Sequence, residues 1–172
     1  MDNKEKCRLA FVEAESFFLA SSFIYDNIWE KFEPSDRDKF FGLHNVAFVN
    51  HAFAVEIYLK CLQIMTTGNY TGGHVILDIF TNLPKEVKSK IINCYHKKYF
   101  ERDFDSFNEA RGLPQQTFIE LLSEVEQPFL QFRYIFENKE KENSRYKLTL
   151  AILAVREIIL EYTPEFKELI FI

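Results

Sequence analysis

Apolar residues recur along this chain at three- and four-residue steps, the period of an α-helix, and nowhere alternate as a half-buried strand would. The densest run is residues 45–65, NVAFVNHAFAVEIYLKCLQIM. At about 100° per residue, Asn45, Ala52, Glu56, Lys60 and Gln63 fall on one narrow stripe of the helix this run must form. Val46, Phe48, Val49, Phe53, Val55, Ile57, Leu59 and Leu62 cover the rest of its circumference. A helix so apolar is expected at the centre of a bundle, packed round by others. Glu56 and Lys60 stand one turn apart on the stripe, and ions in the middle of a buried helix must be paired, hydrogen-bonded or open to a cleft.

The same period places the other elements. Residues 1–8 are charged and are expected to fray. Phe11, Ala14, Phe18, Tyr25, Ile28, Trp29 and Phe32 mark a long first helix ending before Pro34. A connector, PSDRDKFFGLH, leads to the central helix, which is expected to begin near His44 or Asn45. Gly68, Gly72 and Gly73 in TTGNYTGG supply the backbone freedom to stop that helix and reverse the chain, and His74 opens a short helix. Pro84 suits a first helical position, and Val87, Ile91, Tyr95 and Lys98 carry a fourth helix to about Tyr99. Residues 101–114 read as a loop. From Pro114, the face of Phe118, Leu121, Leu122, Val125, Phe129, Phe132 and Phe136 predicts another helix, kinked at Pro128. After the charged connector ENKEKENS, Leu148, Ile152, Val155, Ile159 and Tyr162 give a last helix from about Ser144, and Pro164 starts a short apolar tail. The expectation is an all-α, up-and-down bundle of about four long helices with one or two short ones, forming a single domain over residues 1–172 with its core at about 8–162.

Composition narrows the function classes. The 172 residues are 47% hydrophobic and 16% aromatic with 19 Phe, against only 5 Gly and 5 Pro, which favours few, long, thickly packed elements. A net charge of −5 argues against a general affinity for nucleic acid, since neutralising phosphates takes a surplus of Lys and Arg on the contacting face. Cys7, Cys61 and Cys94 are odd in number and far apart in sequence, so they read as reduced thiols of a cytoplasmic protein, with Cys61 plain core. Glu13 and Glu15 stand where a signal peptide needs its apolar region, and no run reaches the roughly 18 apolar residues of a spanning helix. No phosphate-cradling glycine loop, no HExxH or CxxC metal pair and no GxSxG elbow is present, so neither a metal nor a cofactor is expected.

Four polar groups stand out on residue chemistry. Glu56 and Lys60 are either a surface pair or the lining of a cleft. His74 either bonds a neighbouring carbonyl or takes part in proton transfer, for which a second group would have to lie within hydrogen-bond reach. Arg133, at the margin of an apolar face, can pack its stem and reach a carboxylate with its head, with Glu137 or Glu56 as the receiver. Lys85, Lys88, Lys90, His96, Lys97, Lys98 and Arg102 make the fourth helix the most basic region, interrupted by Glu86 and Glu101, and it reads as a solvated face or a phosphate-contacting patch.

The segments NVAFVNHAFAVEIYLKCL, GGHVILDIFTNLP and FRYIFE together resemble the HEPN superfamily, over roughly residues 8–162. The resemblance implies a small helical bundle, commonly a homodimer, of prokaryotic toxin–antitoxin, phage-defence or RNA-processing systems. Some such proteins are metal-independent ribonucleases that use an arginine followed, after four to six residues, by a histidine. Others accompany a nucleotidyltransferase or bind nucleotides. After Arg133, however, the positions for that histidine hold Asn138, Lys139 and Glu140, none of which serves as an imidazole base. Arg37 and His44 have the spacing, but lie before the central helix rather than late in the bundle. What the resemblance carries over is Asn50, Glu56, Lys60, His74, Arg133, Tyr134 and Glu137 as polar groups converging on the central helix. The reading is a non-catalytic or degenerate module that binds a nucleotide, RNA or an antitoxin or nucleotidyltransferase partner. The alternatives are a ribonuclease using Arg37 with His44, or Arg133 with His74, and a purely structural dimerisation unit.

Overall fold

The computed structural model describes residues 1–31, 37–101, 117–125 and 145–171. Four long helices, α1 (Asn3–Lys31), α2 (Arg37–Thr67), α4 (Lys85–Glu101) and α6 (Arg145–Tyr162), carry the architecture. Two short ones, α3 (Ile76–Thr81) and α5 (Phe118–Glu124), and a 3-10 helix at Pro164–Leu169 complete it, and the described residues contain no strand.

Helix directions follow from which side chains meet. Asn3, at the start of α1, donates to the Gly68 carbonyl and Ser21, further along it, to the Ala47 carbonyl, so α1 and α2 are antiparallel. His51 meets Thr149, while Tyr58 and Arg156 share Glu15, so α6 runs parallel to α2. Lys90 pairs with Glu161 and Lys98 with Glu157, which makes α4 antiparallel to α6. The four long helices therefore alternate up and down. α2 supplies the largest share of the core: Ala47, Phe48, Ala52, Ala54, Val55, Tyr58, Leu59, Cys61, Leu62 and Ile64 are all buried in it. This is the outcome expected of a segment apolar on all but one stripe.

Three boundaries differ from expectation. α1 starts at Asn3 rather than after a frayed leader, because Asp2 Oδ1 accepts the Glu5 amide at 2.8 Å and Cys7 is already buried against α2. α2 starts at Arg37 rather than near His44, since Phe40 and Ala47 continue its apolar face backwards and pack with Tyr25. Gly42 sits on the exposed side of that helix, where it costs only propensity, about 1 kcal/mol. α3 starts at Ile76, with Val75 rather than His74 at its N-cap. α2 ends where expected: Gly68, at φ +81°, adopts the left-handed conformation while its amide bonds the Ile64 carbonyl at 3.0 Å. α5 opens with a reciprocal capping box between Thr117 and Glu120. The continuation of its face to Phe136 lies outside the described residues.

Candidate functional site

The polar stripe of α2 is occupied by the loop between α2 and α3. Glu56 Oε1 accepts two charge-assisted bonds, from Lys60 Nζ at 2.8 Å and from His74 Nδ1 at 2.9 Å. Lys60 spends a second proton on the Gly73 carbonyl at 2.8 Å, which fixes the residue just before His74. One turn further, the buried Gln63 amide donates to Thr71 Oγ1 at 3.0 Å and to the Ile79 carbonyl at 2.7 Å, and its oxygen accepts the Thr71 amide at 2.7 Å. Gly73, at φ +90°, supplies the left-handed turn that lets His74 fold back over Glu56. Lys60 also lies 5.8 Å from the centroid of the exposed Tyr70 ring.

The chemistry of this cluster is set by a contrast in exposure. The Glu56 side chain is 5% exposed and the His74 side chain 81%. A carboxylate only accepts, so Nδ1 carries the proton of that bond, and Nε2 is the ring nitrogen left for a ligand on the exposed side chain. Lys60 retains one donor beyond those it gives to Glu56 and Gly73. Glu56 Oε2 is buried and has no hydrogen-bond partner among the described residues.

The remaining sequence candidates fall elsewhere. Asn50 is half-buried and lies about 240° round α2 from Glu56, so it leaves a different face. Arg133, Tyr134 and Glu137 lie outside the described residues, and with them the expected Arg133 to Glu56 contact. Arg37 and His44 do not straddle a connector, as their sequence context suggests, but belong to the same helix. The His44 ring sits 5.2 Å from Tyr25 and 6.3 Å from Phe40. On α4, Lys88 bonds the Thr81 carbonyl at 2.7 Å, Lys90 meets Glu161 at 3.0 Å and Lys98 meets Glu157 at 2.5 Å. Much of its basic face is thus engaged within the bundle.

Two buried polar networks escaped the sequence reading. Glu15, 2% exposed, accepts the Tyr58 hydroxyl and two bonds from Arg156 Nη1 at 3.3 and 3.4 Å, which joins α1, α2 and α6. Burial, with the Glu15 charge beside it, pushes the Tyr58 hydroxyl far above the usual phenol range and so keeps it a donor. Deeper along α2, Ser21 bonds His51 Nδ1 and the Ala47 carbonyl, while His51 Nε2 lies 3.0 Å from Thr149 Oγ1. The legible signal for the first network was an acid among Phe11, Ala14 and Phe18 and an arginine among Ile152, Val155 and Ile159: each is a charge on an apolar face, which must find a partner. Among the described residues, no group of three or more His, Cys, Asp or Glu could hold a metal ion, and no helix is long and apolar enough to cross a membrane. Compared with models of known protein families, with curated proteins and with solved structures, the chain matches none.

Proposed function

We propose that this chain is a HEPN-like helical module, cytoplasmic and homodimeric, that binds a nucleotide or RNA, or a protein partner, within a prokaryotic toxin–antitoxin or phage-defence system, without cleaving the ligand itself. The observation that carries the reading is the exposed His74 imidazole, aimed by the buried Glu56 carboxylate and flanked by Lys60. A recognition group held in one orientation loses less entropy on binding than a free one, and the Lys60 ammonium beside it keeps a donor suited to a phosphate oxygen. The alternating four-helix bundle agrees with the fold that the sequence resemblance implies. The test is titration of labelled RNA and of mononucleotides into the chain and its His74→Ala variant, followed by fluorescence polarisation or calorimetry. Affinity should fall at least tenfold in the variant, with little change in melting temperature. Equal affinity in both proteins would overturn this use of the site.

One observation favours a second reading, that of a metal-independent ribonuclease: Arg37 and His44 belong to one helix, α2. On the preferred reading, incubation with total RNA leaves the RNA intact. Cleavage that disappears in His44→Ala would establish the second reading instead.

A further inference from the structure

Cys7 and Cys61 are 54 positions apart, yet the antiparallel packing of α1 on α2 sets them face to face. The Cys7 thiol donates to the Cys61 carbonyl at 3.9 Å and the Cys61 thiol to the Cys7 carbonyl at 3.4 Å, so each sulfur lies against the other residue's backbone. Both are buried, and both are free thiols. A disulfide needs Cα atoms about 4.4–6.8 Å apart, so only close neighbours can form one, and here each sulfur already touches the other residue's backbone.

We infer that Cys7 and Cys61 form a reversible disulfide that fastens α1 to α2 when the chain meets a small-molecule disulfide such as oxidised glutathione. Cys7 is the attacking residue. It lies in the second turn of α1, whose N-terminal end packs on α2 and the 3-10 helix, so local opening of that end exposes the thiol while the bundle stays folded. Contact between the two side chains also favours ionisation of the Cys7 thiol and, with burial, opposes that of Cys61. The Cys7 thiolate attacks one sulfur of oxidised glutathione, forming a mixed disulfide and expelling a glutathione thiolate. As the segment recloses, Cys61 Sγ attacks Cys7 Sγ, the mixed disulfide breaks, and a second glutathione thiolate leaves. Two protein thiols are oxidised by two electrons, one disulfide is reduced to two glutathione molecules, and the two thiol protons pass to the departing thiolates. The bridge would secure the stretch of α2 that holds the His74 loop, since Cys61 follows Lys60 directly and Asn3, one turn before Cys7, bonds the Gly68 carbonyl at 3.1 Å.

Cys94, half-buried on α4, is the internal control; burial, then the Glu157 charge, push its thiol up to about 11. The full chain is equilibrated with graded ratios of reduced and oxidised glutathione, quenched in acid, alkylated, digested without reductant and mapped by mass spectrometry. The expected result is loss of two hydrogens, a linked Cys7–Cys61 peptide pair, Cys94 recovered as an alkylated thiol, and a rise in melting temperature that reductant reverses. Cys61→Ser should stop at glutathione on Cys7, and Cys7→Ser should leave Cys61 unmodified. Should either variant fail to fold, the wild-type map decides alone. The inference is overturned if the folded chain keeps all three thiols at a strongly oxidising ratio, if it halts with glutathione on Cys7, or if its bridge contains Cys94.

Discussion

Replacing Arg156 by alanine should be among the most damaging single changes to the bundle, for a reason the geometry makes quantitative. The Arg156 side chain is 19% exposed and the Glu15 side chain it faces 2%, so the substitution strands a carboxylate that water cannot readily reach. Removing one partner of a buried ion pair costs about 3–5 kcal/mol, whereas an exposed pair is worth under about 1. Two details select the lower end. The Arg156 contacts, at 3.3 and 3.4 Å, are longer than the best charge-assisted bonds, and Tyr58 still donates to Glu15 after the arginine is gone. The guanidinium also lies 5.6 Å from the Phe18 ring, a contact worth about 0.5–1 kcal/mol. The expected loss is about 3 kcal/mol, or roughly 6–12 °C in melting temperature for a chain of this size. Urea and thermal unfolding of Arg156→Ala, Arg156→Met, Glu15→Gln and the double variant Glu15→Gln with Arg156→Met would measure it. Methionine keeps the stem over Phe18 but not the charge, so it should recover little. The double variant should be less damaged than the sum of its singles by at least about 1.5 kcal/mol. A cost below about 1 kcal/mol for Arg156→Ala, or full recovery with methionine, would show that Glu15 is solvated or that the arginine matters only as packing.

Other changes should separate structure from recognition. Lys60→Ala removes donors to both Glu56 and Gly73 and should cost about 2–3 kcal/mol in unfolding, while His74→Ala, at an exposed side chain, should cost under about 1. Tyr95 is buried with its hydroxyl unpartnered among the described residues, so Tyr95→Phe should be neutral or stabilising by about 1 kcal/mol in the same assay. The Glu157 carboxyl is held below its usual range by the Lys98 ammonium. Its contribution is therefore complete above the unfolded-state value near 4.5 and lost as pH falls through the lower folded-state value. Melting temperature followed from pH 6 downwards should accordingly decline less steeply in Lys98→Met than in the wild type.

How far the sequence led differs between α2 and the networks around it. Periodicity assigns each residue a face of its own helix, and that sufficed to seat Glu56, Lys60 and Gln63 on one stripe and to make residues 45–65 the centre. It says nothing of how one helix is rotated or slid against another, because that is decided by packing between residues far apart in the chain. Glu15 and Arg156 are separated by 141 positions and His51 and Thr149 by 98, so neither pairing could be read beforehand. The start of α2 was misplaced for a local reason. Gly42 and the nearby proline look like punctuation, but the glycine faces solvent, and the apolar face behind it continues to Phe40.

The stapling of the loop at residues 69–74 along α2 also gives the molecule a built-in clock. Thr71 offers its backbone amide to the side-chain oxygen of Gln63 rather than to a backbone carbonyl, so that hydrogen can exchange with solvent only when the loop has left the helix. Since Glu56, Lys60 and Gln63 stand on one rigid helix within two turns, their grips on His74, Gly73 and Thr71 should release together. The deuterium uptake of a single amide, at Thr71, would then time the detachment of the whole segment, and anything that settles on His74 would be felt there as a slowing of exchange.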